Sequence, residues 1–315
     1  MYYLVFGILY LLSLLPLRVL YLISDLFYVL LYHIAGYRKE VVMTNLGFAF
    51  PDKSEGEKKE IARKFYRNFM DNWIETIKLL SISKASLKKR VTGNFEVLDQ
   101  LYHSGRAVQA SMGHFFNWEI MTLFSGISQP YPFLTVYYPQ KNKVMDRLLK
   151  YLRGRWGNPL LPSTDIARAI IPWRKKQYLI ALGADQHTPR VHDAYWLFFL
   201  NRPAPFVKGP EKFARGQDIP VVMMTTTKPK RGHYHFDYFL LADDPRSLPE
   251  GELMRGYVRH LEENIRLQPE IYLWSHKRWK AAWYSHYKDC WVDALPRPPF
   301  VELPGEKSAG GSVEN

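Results

Sequence analysis

Cysteine is nearly absent: Cys290 is the single one in 315 residues, which excludes an internal disulfide and any zinc site built from cysteines. There is no HExxH, no GxxxxGK[ST] loop and no GxGxxG turn, so metalloprotease-type and nucleotide chemistry have no foothold. Charge is scarce at the start, where residues 1–36 carry only Arg18 and Asp25. Basic residues do not precede that apolar run and no small-residue cleavage site follows it, so it does not read as a secretory signal. Internal repeats and long linkers are missing as well, which leaves one main domain.

Aromatic residues and positive charge are abundant. They amount to 15% Phe, Trp and Tyr and a formal charge of +13, from 43 Lys and Arg over 30 Asp and Glu. The charge favours anionic partners, and the aromatics favour an amphipathic surface that meets lipid. Nucleic acid is not expected, because the basic residues are scattered and no zinc finger or RNA-binding glycine–aromatic signature accompanies them.

Residues 1–36 are expected to form an uncleaved membrane anchor, either a tilted span or a helix kinked at Pro16 and lying at the interface. A hydrophobic hairpin packed on the globular part is the alternative. Arg38, Lys39, Lys53, Lys58 and Lys59 follow, and the positive-inside rule then places the bulk of the chain in the cytoplasm. Residues 37–295 read as one layered α/β domain with a largely parallel central sheet flanked by helices. Strands are predicted at 106–112, 133–138, 178–184, 219–226 and 232–241, alternating with helical stretches at 143–155, 164–176, 208–216 and 251–267. Ser54 and Glu57 have capping-box spacing ahead of a helix whose Ile61, Phe65, Phe69, Trp73 and Ile77 read as a core stripe. "RPAPF" reads as a turn, and residues 296–315, rich in Pro, Gly, Ser and Glu, as a disordered tail.

"SMGHFFNWEI" (111–120) joins the first of those strands to a helix. Gly113 suits the sharp turn and Asn117 an N-cap. Five helical positions rotate a side chain by about 500°, so His114 and Glu119 meet only if the histidine lies in the turn and the glutamate in the first helical turn. That places both at the carboxyl end of a parallel strand, where α/β sheets bind ligands. A glutamate that holds one imidazole nitrogen leaves the other basic, giving a general base for a hydroxyl. The spacing alone fits a structural histidine better than a catalytic one. His233 and His235, and His187 and His192 with Asp193, could ligate metal by spacing alone; they read instead as an edge-strand pair and loop residues, and no metal site is expected.

"GHFFNWE" resembles the His-x4-acid motif of glycerolipid acyltransferases, and in particular the lauroyl and myristoyl acyltransferases of lipid A biosynthesis. "GYRKEVVMTNLGFAFP" (36–51), "LRGRWGN" (152–158), "GADQ" (183–186) and "LWSHKRWK" (273–280) resemble further segments of that family, in the same order. Phe116 departs from it, standing where a small residue is expected. The resemblance implies an enzyme that moves an acyl chain from an acyl carrier protein thioester to a hydroxyl of a lipid A precursor, at the cytoplasmic face of a bacterial inner membrane. It implies His114 as base, Glu119 as the group that orients it, and Asp185 as a further catalytic residue. Asn117, Arg153, Arg155 and Gln186 would serve substrate binding, with Arg153 or Arg155 at the oxyanion or a phosphate. No cofactor is implied beyond the phosphopantetheine that carries the acyl group. A lysophospholipid or aminolipid acceptor, and a non-catalytic protein binding anionic lipid, remain as alternatives.

Overall fold

A computed structural model describes residues 1–298. The expectation for the tail therefore falls almost wholly outside the described residues. Helices α1 (Tyr2–Leu14) and α2 (Leu17–Val29) are separated at Pro16, and α2 continues as a π turn over Leu30–Ala35. Next come α3 (Lys39–Ala49), α4 (Glu55–Lys78) and the short α5 (Lys84–Lys88). Ser54 and Glu57 close the expected capping box on α4, each side chain reaching the other's backbone N–H. The α/β part runs β1 (Val91–Asn94), α6 (Glu96–His103), β2 (Val108–Met112), α7 (Trp118–Ser128), β3 (Phe133–Tyr137), α8 (Lys143–Gly154), β4 (Leu160–Pro162), α9 (Ile166–Ala169) and β5 (Leu179–Gly183). It continues through a hairpin of β6 (Ala194–Phe199) and β7 (Arg202–Val207), then α10 (Gly209–Gln217), β8 (Val221–Lys230), β9 (His233–Ala242) and α11 (Glu252–Leu267).

Seven strands form one sheet in the order β1-β9-β8-β2-β5-β3-β4, and every pairing is parallel except β8 with β9. Central strand β2 is buried along its whole length, as a parallel strand covered on both faces must be. Its Val108, Ala110 and Met112 pack with α6, α7 and α8 on one face. Ile180 and Leu182 of β5 point to the other face, toward α9 and Phe213 of α10. The fold class is thus the expected layered α/β domain.

Four local expectations are corrected. The stretch 164–176 is not one helix, because Pro172 restricts it to α9 between two short 3-10 turns. "RPAPF" is strand β7, tolerable because its prolines sit in a separate two-stranded ribbon with β6. Strand β9 is not an edge: β1 lies outside it, and His235 Nδ1 is 2.8 Å from Thr92 Oγ1. Trp73 is 46% exposed and leaves the α4 stripe, since steps of four residues drift by about 40° each around a helix.

The apolar N-terminal helices lie against the domain. Leu20, Ser24 and Tyr28 of α2 are buried, one turn apart, on the side toward α4. Ser24 Oγ donates to Asp71 Oδ1 at 2.8 Å, and Asp25 pairs with Arg231 at 2.8 Å. Helix α1 rests on α8 through Phe6 and Tyr151, ring centroids 5.0 Å apart. The opposite side stays apolar and open, with Leu4, Ile8, Leu11, Leu22 and Leu26 all exposed. By length and composition Leu17–Ala35, with mean hydropathy 1.5, is long and apolar enough to cross a membrane.

Candidate active site

Two adjacent parallel strands aim the central pair. Met112 of β2 and Gly183 of β5 are register partners, and His114 and Asp185 stand two residues beyond them on the same sheet edge. Asp185 accepts twice from His114: from its main-chain N–H at 2.8 Å and, across 2.5 Å, from ring Nδ1. Placing the proton on Nδ1 leaves Nε2 with the lone pair. Gly183 makes the approach possible, since a Cβ there would lie 3.1 Å from His114 Cε1. Tyr257 ties the two strand ends together, donating to Met112 O and accepting from Ala184 N.

Asp185 is 1% exposed at its side chain and His114 30%. Burial disfavours the imidazolium, but the Asp185 carboxylate outweighs it and the His114 pKa lies above its ordinary value; Arg153 pulls the other way. For Asp185, burial pushes the carboxyl up, and the charge and hydrogen bonds of His114 more than offset this, holding it below the usual range. Nearby His276 is pushed down to about 4, first by burial, and its Nε2 accepts from the His187 N–H at 2.8 Å.

Glu119 sits in the first turn of α7, as expected, but does not hold His114. Its carboxylate is bound by Arg153 of α8, through Nε at 2.9 Å and Nη2 at 2.5 Å, and by Trp118 Nε1 at 3.2 Å. The Trp118 ring lies beside the imidazole, with centroids 5.9 Å apart. The expectation that Glu119 fixes the tautomer is therefore corrected: a carboxylate from the neighbouring strand performs that task.

His114, Glu119, Arg153 and Gln186 line one cleft of about 380 Å³, together with Trp73 and Thr76 of α4 and Tyr137 and Tyr138 at the end of β3. Two of the expected binding residues lie elsewhere. Arg155 donates to the carbonyl of Leu79 and stacks near Trp156, which fastens the end of α8 to the end of α4. Asn117 is fully buried and caps α7, its Oδ1 accepting from the N–H groups of Glu119 and Ile120 at 3.0 and 3.2 Å. Phe116 is fully buried against Phe65, Phe69 and Trp118, outside the cleft lining. Its bulk fills core, so it takes no space from a ligand.

The remaining sequence segments converge on the same turn. Leu273 N donates to His114 O and Phe116 N to Ile271 O, so residues 271–273 run beside the turn that carries His114. Asn45 Nδ2 in turn donates to the carbonyls of Trp274 and His276, and Arg38 Nη1 to that of Ser275. Buried Arg278 lies over the Phe206 ring and donates to Pro205 O. The cleft residues Trp73, Thr76, Tyr137 and Tyr138 were not legible beforehand; nothing in an apolar stripe or a strand end marks which side chain faces a cavity.

A family model described as bacterial lipid A biosynthesis acyltransferase matches residues 1–281. The chain is 23% identical over 249 residues to the lipid A biosynthesis palmitoleoyltransferase of Escherichia coli K12, covering 77% of this chain and 79% of that protein. The lipid A biosynthesis acyltransferase of Shigella flexneri matches with the same identity and coverage. With the motif segments linked to the His114 turn and the match running over nearly the whole chain, the protein belongs to the bacterial lipid A biosynthesis acyltransferases.

Proposed function

We propose that this acyltransferase moves a fatty acyl chain from an acyl carrier protein thioester to a hydroxyl of a lipid A precursor, with His114 as general base. The carrying observation is the imidazole whose Nδ1 is held by buried Asp185 while its ring borders the cleft. Nε2 takes the proton of the acceptor hydroxyl as its oxygen attacks the thioester carbonyl. Asp185 stabilises the resulting imidazolium, and the imidazolium returns the proton to the departing thiol as the ester forms. Arg153 Nη1 makes none of the bonds to Glu119 and is the edge offered to the oxyanion. Glu119 thereby acts by orienting Arg153, and exposed Gln186 supplies a polar contact for the acceptor.

The acidic carrier is supported by the surplus of positive charge and by Lys143, Arg147 and Lys150 on α8, the helix that brings Arg153 to the cleft. The open apolar side of α1 and α2 supports residence on the membrane, and the basic residues after Ala35 favour its cytoplasmic face. The test incubates detergent-solubilised protein with acyl carrier protein thioesters and lipid A precursors, and weighs the lipid products. A product one acyl group heavier, absent with His114→Ala, is expected. Acylation of lysophospholipid alone, or equal use of the coenzyme A thioester at every salt concentration, would overturn the acceptor or the donor respectively.

A further inference from the structure

Glu75, near the end of α4, is a carboxylate 3% exposed. Among the described residues no cation pairs with it. Its oxygens accept instead from three neutral donors: the Tyr21 hydroxyl at 3.0 Å, the Tyr234 hydroxyl at 2.5 Å and the Asn117 carboxamide at 3.4 Å. A buried carboxylate without a cation is costly to keep, and nothing in the proton transfer uses it.

The Asn117 bond shows what it does. Asn117 Nδ2 is shared between Glu75 Oε2 and the carbonyl of Asn72, each 3.4 Å away. Both are acceptors only, so the NH₂ end of the carboxamide faces them. The oxygen end must then face α7, where it accepts from Glu119 N and Ile120 N. Reversing the carboxamide would set an NH₂ group against two N–H donors and an oxygen against a carboxylate. Asn117 lies between His114 and Glu119 in the chain, so its orientation sets how the turn enters the helix.

We propose that Glu75 is a positioning residue for acyl transfer: it locks the orientation of Asn117 and thereby holds His114 and Glu119 at their places in the cleft. Its third bond, to Tyr21, runs to α2, so the seat of the apolar N-terminal helix is registered at the same carboxylate. The proposal rests on the reading of His114 as base.

The test exchanges donor and acceptor. In full-length protein, Glu75→Leu removes the acceptor that faces the Asn117 NH₂ group, and Asn117→Asp sets two carboxylates against each other. Each is expected to lower kcat by about a hundred-fold, the scale of a roughly 1 Å displacement at a reacting centre, with KM changed only a few-fold. The double variant Glu75→Gln/Asn117→Asp again pairs a donor with an acceptor between these two residues, leaves only the Asn72 carbonyl opposed, and its aspartate still caps α7. It should exceed either single variant in kcat by about ten-fold or more, a recovery that lost packing alone does not produce. A folded Glu75→Leu enzyme with unchanged kcat, or a folded double variant no faster than the slower single, overturns the proposal. Should Glu75→Leu fail to fold, Asn117→Asp against the double variant carries the same comparison. A wild-type rate from His114→Ala would defeat the general-base reading instead, whatever the exchange shows.

Discussion

Asp185 holds His114 at two atoms, main-chain N and ring Nδ1, so one carboxylate fixes both where the turn lies and which nitrogen is basic. Asp185→Asn keeps the volume and removes the charge. Turnover should fall by about a hundred-fold to ten-thousand-fold, and the acid limb of the pH–rate profile should move to lower pH, because the imidazolium loses its counter-charge. An unmoved acid limb would mean that Asp185 does not face the titrating group.

The pH dependence of stability runs against that of catalysis. His114 is raised above its unfolded value, so its contribution is complete below about pH 6.5 and is lost as pH rises through the raised pKa. Asp185 is lowered, so its contribution is present above about pH 3.9 and is lost on further acidification. As the proposed base, His114 works only when neutral. Activity should therefore climb with pH above the ordinary histidine value while the stabilisation from this pair declines. Melting temperatures and kcat measured over the same buffers check both limbs, and His114→Ala should flatten the first.

Glu119 and Arg153 are a nearly buried pair, 5% and 17% exposed at their side chains. Removing one partner strands the other, so Arg153→Met or Glu119→Leu should each destabilise by about 3–5 kcal/mol, and the double substitution by less than the two combined. Both singles should lose most activity. Because Glu119 does not touch His114, its loss should still slow the residual turnover of a His114→Ala enzyme. Denaturant melts and single-turnover rates separate these effects.

Gly183→Ala tests the room around the imidazole. The added methyl would meet His114 Cε1 at 3.1 Å, Met112 O at 3.4 Å and Asp185 Oδ1 at 3.5 Å. The ring is the softest of the three and should turn away, lowering kcat by about ten-fold or more with little change in melting temperature. A stability loss that accounts for all the lost activity would locate the strain in the sheet instead.

The N-terminal helices should not behave as a detachable tag. Deleting residues 1–35 would expose Asp71 and Glu75, which now bind Ser24 and Tyr21, and the truncated protein should be markedly less stable. Leu4, Leu11 and Leu22 face outward, so changing all three to Ser should weaken vesicle binding without moving the melting temperature. Flotation at low and high salt measures the first effect, since apolar insertion survives salt.

The alternation of buried strands and amphipathic helices was enough to give the layered sheet, and the strand–Gly–His segment placed the turn at its edge. Periodicity reports which face is buried, and that is a local property. Asp185 was legible as a candidate at the same sheet edge but not as the group that holds the His114 ring, because that depends on β5 lying beside β2, although β5 follows β3 and β4 in the chain. Spacing in sequence favoured Glu119, the nearest carboxylate along the chain. Register across the sheet favoured Asp185. Arg153 and Arg155 looked interchangeable for a similar reason: two residues apart on a helix end they point apart, and only the packing of α8 on α4 decides which one faces the cleft.

A ribosome making this chain completes residues 113–117 long before the stretch that pins them. Until Ile271 and Leu273 emerge, the carbonyl of His114 and the amide of Phe116 have no partners, and Asn45 has no Trp274 to grip. The two apolar helices, by contrast, precede that turn in the chain. A half-synthesised chain thus carries its apolar helices while the His114 turn still lacks the hydrogen bonds that pin it, so an unfinished molecule does not yet hold that turn in its finished geometry.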